Sequence, residues 1–163
     1  MKWLSDASKV IILPLALALP ALAHAPTIQA FPFVSAFSPA AQGCGFDVLL
    51  TPEPERPNGG RMIEFANSVI IQGPLFVTAT NLSSQKAINL NLSGPSKISL
   101  ITNTAVAEGP QFAFIPKDVA AAAGLPSPAI IFYGRAIFTF DDQGDNTSVS
   151  ITGKVENLCQ LLQ

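Results

Sequence analysis

Chemistry-bearing residues are scarce in this chain: it has one His, two Cys, one Trp and one Tyr, and only 12% of its residues are charged. With a single imidazole, His24, there is no His base for a nucleophilic serine, and no Gly-x-Ser-x-Gly elbow occurs. Two thiols and one imidazole are too few ligands for a zinc site. A copper brace built on His24 lacks the second imidazole it needs. The expectation is therefore a chain without a cofactor. Seven basic and ten acidic residues after position 23 leave a net charge of −3 and no cationic stripe, which argues against nucleic acid as a partner.

What the sequence does have is a leader. Lys2 and Lys9 precede an apolar run, and Ala21-Leu22-Ala23 provides a small-x-small cleavage site, so residues 1–23 are expected to be a secretory signal peptide. The apolar run is about 14 residues long and is interrupted by Pro14 and Pro20, whereas a spanning helix needs roughly 20. No second run of spanning length follows, so no stable membrane insertion is expected. Cleavage after Ala23 removes the only Trp, Trp3, and leaves 140 residues, the size of one domain. Export would place Cys44 and Cys159 in an oxidising compartment, where they are expected to form one disulfide joining the two ends of the folded region.

Residues 24–43 are rich in Pro and Ala and carry Phe31, Phe33 and Phe37 without strand or helix periodicity. They are expected to form an extended N-terminal arm ahead of a single β domain at 44–163. From Cys44 onward, short runs rich in β-formers alternate with turn residues. Val77 and Ala79 lie opposite Thr78 and Thr80, and Ile88, Leu90 and Leu92 lie opposite Asn89 and Asn91: one dry face and one wet face on each strand. Strands are expected at 46–51, 61–65, 68–72, 75–80, 86–93, 96–102, 111–115, 130–133, 135–140, 147–152 and, to complete the last hairpin, 154–158. The expected architecture is all-β, an antiparallel β-sandwich or small barrel of about eight or nine short strands. One short helical turn is expected at 117–123, stopped by Gly124 before Pro126.

Paired carboxylates offer the one route to catalysis in such a chain, with Asp47, Glu64, Glu108 and Asp118 as candidate members of a hydrolase pair. The acidic run Asp141 to Asn146 has oxygen ligands but not the spacing of a calcium loop, and its Asp, Asn and Gly residues suit a hairpin turn. Three Asn-x-Ser acceptors for glycosylation occur at Asn146, Asn81 and Asn91. Asn146 in a turn and Asn81 at a strand end are expected to be more reachable than Asn91 in mid-strand.

The segments Cys44-Gly-Phe46, Tyr133-Gly-Arg-Ala-Ile-Phe-Thr-Phe140 and Val149-Ser-Ile-Thr-Gly-Lys-Val155 before Asn157-Leu-Cys159 resemble a loose group of uncharacterised small secreted proteins of filamentous fungi and actinobacteria. The resemblance covers Cys44 to Cys159 and implies secretion, a framing cystine and a β-rich body, with no activity or site residues attached. The expectation is an exported, non-catalytic binding or interaction protein at the cell exterior, wall-associated or effector-like. Its partner would be an extracellular protein or cell-wall component. The competing expectation is the small secreted hydrolase.

Overall fold

A computed structural model describes residues 25–31, 33 and 35–163 of the chain. The expected leader and His24 lie outside the described residues. Among the described residues, eleven strands form two antiparallel sheets. The larger has the order β1 (Thr27–Phe31), β4 (Gly60–Phe65), β5 (Ser68–Gln72), β8 (Ser96–Ser99), β9 (Thr104–Phe114), β10 (Ala129–Phe140), β11 (Asn146–Asn157). The smaller has the order β2 (Ala36–Ser38), β3 (Val48–Pro52), β6 (Phe76–Asn81), β7 (Ala87–Asn91). Helix α1 (Lys117–Ala122) joins β9 to β10, and α2 (Leu158–Leu161) follows β11.

The sandwich reading holds, and the alternation that produced it is visible in the burial. Val77 and Ala79 are fully buried between the sheets with Val48 and Leu50, and Ile88 and Leu90 pack against them. Phe112, Phe114, Ala129 and Ile131 complete this core from the larger sheet. The opposite face of the larger sheet carries a second core, formed by Ala107, Ile130, Phe132, Ala136, Phe138 and Val149 and closed by Ile115 and Ala120 at helix α1.

The N-terminal segment departs from expectation. Instead of an arm, it contributes β1 as an edge strand paired with β4 and β2 as an edge strand paired with β3. All five residues of β1 are exposed, so it has no dry face to leave a period in the sequence. Strand β2 is three residues long, too short to show one. The sequence signals of β9 to β11 were also broken by residues that the fold retains inside strands. Gly109, Gly134 and Gly153 lie in register across the three strands, all at positive φ (+80°, +141° and +121°). A Cβ on Gly134 would sit 2.2 Å from the Thr152 carbonyl oxygen, and one on Gly153 would sit 2.2 Å from that of Tyr133. Only glycine permits both the backbone angles and the close approach.

The consequence of this glycine row is a sharp bend. Phe132 and Phe138 are six residues apart on one strand, about 20 Å if it were straight, yet their ring centroids are 6.1 Å apart. The three strands therefore fold over the second core, concave toward α1 and convex on the other side. Pro110 is tolerated next to the bend because β8 pairs with β9 only from Thr104 to Ala107, leaving no strand to receive an N–H from position 110.

Candidate functional site

A disulfide joins Cys44, in the turn before β3, to Cys159 in α2, with Cα atoms 5.0 Å apart and a sequence separation of 115. Cys159, Leu158 and Leu162 are buried and fill one end of the inter-sheet core. The terminal helix is held in two further ways. Asn157 caps it by accepting from the Gln160 N–H at 3.2 Å, and the Asn81 carboxamide donates to the Leu162 carbonyl at 3.1 Å.

Beyond the glycine row, the face of the larger sheet that carries Phe112 and Phe114 into the core continues uncovered. Because alternate residues share a face, the strand registers give its rows. Ile70, Lys97, Val106 and Ile137 form one row across β5, β8, β9 and β10. Glu108, Arg135 and Thr152 form the next, and Tyr133 and Lys154 the one after that, on the convex ridge. A groove of about 470 Å³ runs over the first two rows, lined by Ile70, Lys97, Ser99, Val106, Glu108 and Arg135 among others. Five strands at about 4.8 Å and three rows at about 6.7 Å give a face of about 480 Å².

The charged groups on this face are organised. Arg135 Nε lies 3.9 Å from Glu108 Oε1, with both side chains more than half exposed. At the ridge, the Tyr133 hydroxyl donates to Glu156 Oε2 at 3.1 Å, Lys154 pairs with the same carboxylate, and the ammonium lies 5.4 Å from the Tyr133 ring centroid. The hydrogen bond from Lys154 holds the Glu156 carboxyl below its usual range against a smaller opposing desolvation. The same bond raises Lys154. Partial burial, reinforced by the Glu156 charge, raises the Tyr133 phenol above its ordinary value.

The four carboxylates proposed for a hydrolase are not brought together. Asp47 accepts the Ala40 N–H at 2.8 Å and so ties down the turn that carries Cys44. Glu64 aligns through Val69 and Ile98 with Ala105, on the opposite face of the sheet from Glu108. Asp118 lies exposed in the first turn of α1. The groove over the open face therefore holds Glu108 alone of the four. Among the described residues no three His, Cys, Asp or Glu side chains converge on a point where a metal ion would fit. The Asp141–Asn146 segment is a turn: Asp141 Oδ1 accepts the N–H groups of Gln143 and Asp145, both at 2.9 Å. Among the described residues no helix is long and apolar enough to cross a membrane.

Of the three glycosylation acceptors, Asn91, expected to be the least reachable, is the exposed one. Asn81 is 4% exposed and faces the core, because the strand alternation that buries Val77 and Ala79 buries it too. Its oxygen accepts from the Ser83 and Ser84 N–H groups while its nitrogen holds Leu162. A glycan has no room there. Asn146 is half-buried at the start of β11, beside the register shift at Phe140, and its carboxamide oxygen is buried without a partner. Asn91 is exposed at the end of edge strand β7.

No known protein family, curated protein or solved structure matches the chain.

Proposed function

We propose that the chain is an exported, glycosylated binding protein that engages an extracellular partner through the open face of its seven-stranded sheet and performs no catalysis. The observation that carries this reading is the continuation of a core-type sheet face beyond its covering sheet, with apolar and charged side chains interspersed on it. Ile70, Val106 and Ile137 share the central row with exposed Lys97, and Glu108–Arg135 and Tyr133–Lys154–Glu156 lie along one side of it. Apolar and charged side chains interspersed in this way are what non-obligate protein interfaces present. A carbohydrate platform would instead present a row of flat aromatic rings, and the described residues of this face carry two that lie apart: Tyr133 on the ridge, engaged at its edge by Glu156, and exposed Phe65 on β4, in register with Ser68, Ser99 and Thr104. The preferred partner is thus an extracellular protein rather than a wall polymer. About 480 Å² is well short of the roughly 800 Å² that each partner contributes to a standard interface, so the complex is expected to be transient.

Export is supported by the disulfide, since cystines persist outside the reducing cytosol, and by the leader pattern in the sequence. The test couples the two. The full chain is produced with its own leader, its mature N-terminus is sequenced, and the product is immobilised against culture medium proteins and wall material. Ile137→Asp and Arg135→Glu should abolish retention of a partner that Lys86→Glu, on a loop of the smaller sheet, leaves intact. Equal loss with Lys86→Glu, or retention by wall polymer alone, would overturn the partner assignment; a product that keeps residues 1–23 would overturn the export assignment.

A further inference from the structure

We propose that Asn91 is the acceptor of an N-linked oligosaccharide, a modification that rests on the export reading above. Three observations converge on it. First, the Asn91 carboxamide oxygen accepts both the Ser93 hydroxyl at 2.6 Å and the Ser93 N–H at 3.2 Å. This places the Asn-Leu-Ser acceptor in an Asx turn, a geometry made by three consecutive residues and needing no tertiary support. With the oxygen bound to the acceptor hydroxyl, the amide nitrogen is left pointing away, and it donates to no group among the described residues. Second, Asn91 is exposed on the outer, polar face of β7, whose other side in the sheet is an open edge. Third, its cross-strand neighbour is Phe76, half-buried on the same face with the Arg56 guanidinium 4.8 Å from its ring centroid, so the first sugar would lie beside a cation–π pair whose guanidinium can donate to sugar hydroxyls.

The chemistry is a glycosyl transfer without redox change. The co-reactant is a polyprenyl-diphosphate-linked oligosaccharide supplied by the export apparatus. The Nδ2 of Asn91 attacks the anomeric carbon, the carbon–nitrogen bond forms and the carbon–oxygen bond to the diphosphate breaks. The polyprenyl diphosphate leaves with the electron pair, and one Nδ2 proton passes to base. Asn81 and Asn146 are poorer sites for this product in the folded chain: the Asn81 nitrogen is committed to Leu162, and half-buried Asn146 has its carboxamide oxygen buried without a partner, so it makes no bond to the Ser148 hydroxyl of its own acceptor triplet. A glycan on Asn91 would also screen the unpaired edge of β7, which sheet proteins otherwise protect with charges or prolines.

The full chain is secreted from a eukaryotic host, once with its own leader and once with a substituted secretory leader. Peptide mapping before and after amidase release of N-glycans reads each acceptor. The expected result is a glycan at Asn91, lost in Asn91→Gln and Ser93→Ala and kept in Ser93→Thr. The Thr variant guards against loss of the Leu75 N–H bond to Ser93, 2.9 Å, as the cause. A secreted, disulfide-bonded product with Asn91 unmodified would overturn the proposal. A glycan at Asn91 only under the substituted leader would support it while refuting export by the native leader.

Discussion

Gly134→Ala offers the most direct perturbation of the architecture, because it alters one atom at the centre of the bend. The added Cβ meets two penalties. At φ +141° a non-glycine residue is strained by about 1–3 kcal/mol. The Thr152 carbonyl at 2.2 Å is backbone of a paired strand and must move by about 1 Å, which in a packed structure costs about 1–3 kcal/mol more. The sum, about 2–6 kcal/mol, corresponds to a fall in Tm of roughly 6–18 °C for a domain of this size. Gly144→Ala is the matched control, since it also has positive φ, +86°, but nothing lies within 4 Å of its added Cβ. It should cost only the backbone term, about 1–2 kcal/mol, or roughly 3–6 °C. Thermal unfolding by far-ultraviolet circular dichroism separates the two, and nuclear Overhauser contacts between the Phe132 and Phe138 rings report the bend itself. If Gly134→Ala melts with Gly144→Ala and keeps those ring contacts, the bend does not depend on close approach at the glycine row.

Other outcomes follow from the same physics. Replacing both Cys44 and Cys159 by Ser opens a loop of 115 residues, for which chain entropy gives about 5 kcal/mol; urea unfolding with and without reductant should show that loss in wild type and none in the double variant. Asn81→Ala removes three hydrogen bonds at a buried site and leaves the Leu162 carbonyl without its donor, lowering stability by about 1–3 kcal/mol, with faster hydrogen exchange in α2 than in β10. The chain's single tyrosine allows its ionisation to be followed by absorbance, and Tyr133 should titrate above an ordinary phenol; in Glu156→Gln that elevation should shrink. For stability, the lowered Glu156 contributes above the ordinary carboxyl pKa and is lost as pH falls through its folded value. The raised Tyr133 and Lys154 contribute below their ordinary values and are lost as pH rises through the folded ones. Carboxyl chemical shifts of Glu156 on acidification check the first half, and a ridge that loosens first at neutral pH would refute the assignment.

The parts of the fold that were legible in the sequence are those where one strand face is dry and the other wet. Val77 and Ala79, then Ile88, Leu90 and Leu92, announce β6 and β7 because the smaller sheet has solvent on one side and the core on the other. Helix α1 was equally plain, since Gly124 at φ +66° stops it where the alanine run ends. Strands β9 to β11 were read as fragments for a physical reason. The larger sheet is covered on both faces at Phe112 to Phe114 and Ala129 to Phe132, so alternation disappears there. The residues that look like punctuation, Gly109-Pro110, Gly134 and Gly153, are hinges inside continuous strands. A glycine in a strand pattern signals a close approach of backbones as readily as an ending, and only three of them falling in register distinguishes a bend from a turn.

The site was less legible because it is defined by what fails to cover it. Ile70, Lys97, Val106 and Ile137 come from four strands, and no local pattern links them until register does. The glycosylation acceptors show the same limit from the other side. Being at a strand end suggested access for Asn81, but its burial follows from its parity with Val77 and Ala79, which point inward, while Asn91 shares the outward parity of Asn89. Parity within a strand therefore outweighs position along it when judging whether a side chain is reachable. The same rule places Glu64 and Glu108 on opposite faces of one sheet. It removes the pairing that acid catalysis would require, and leaves Glu108 facing Arg135 across the surface proposed for a partner.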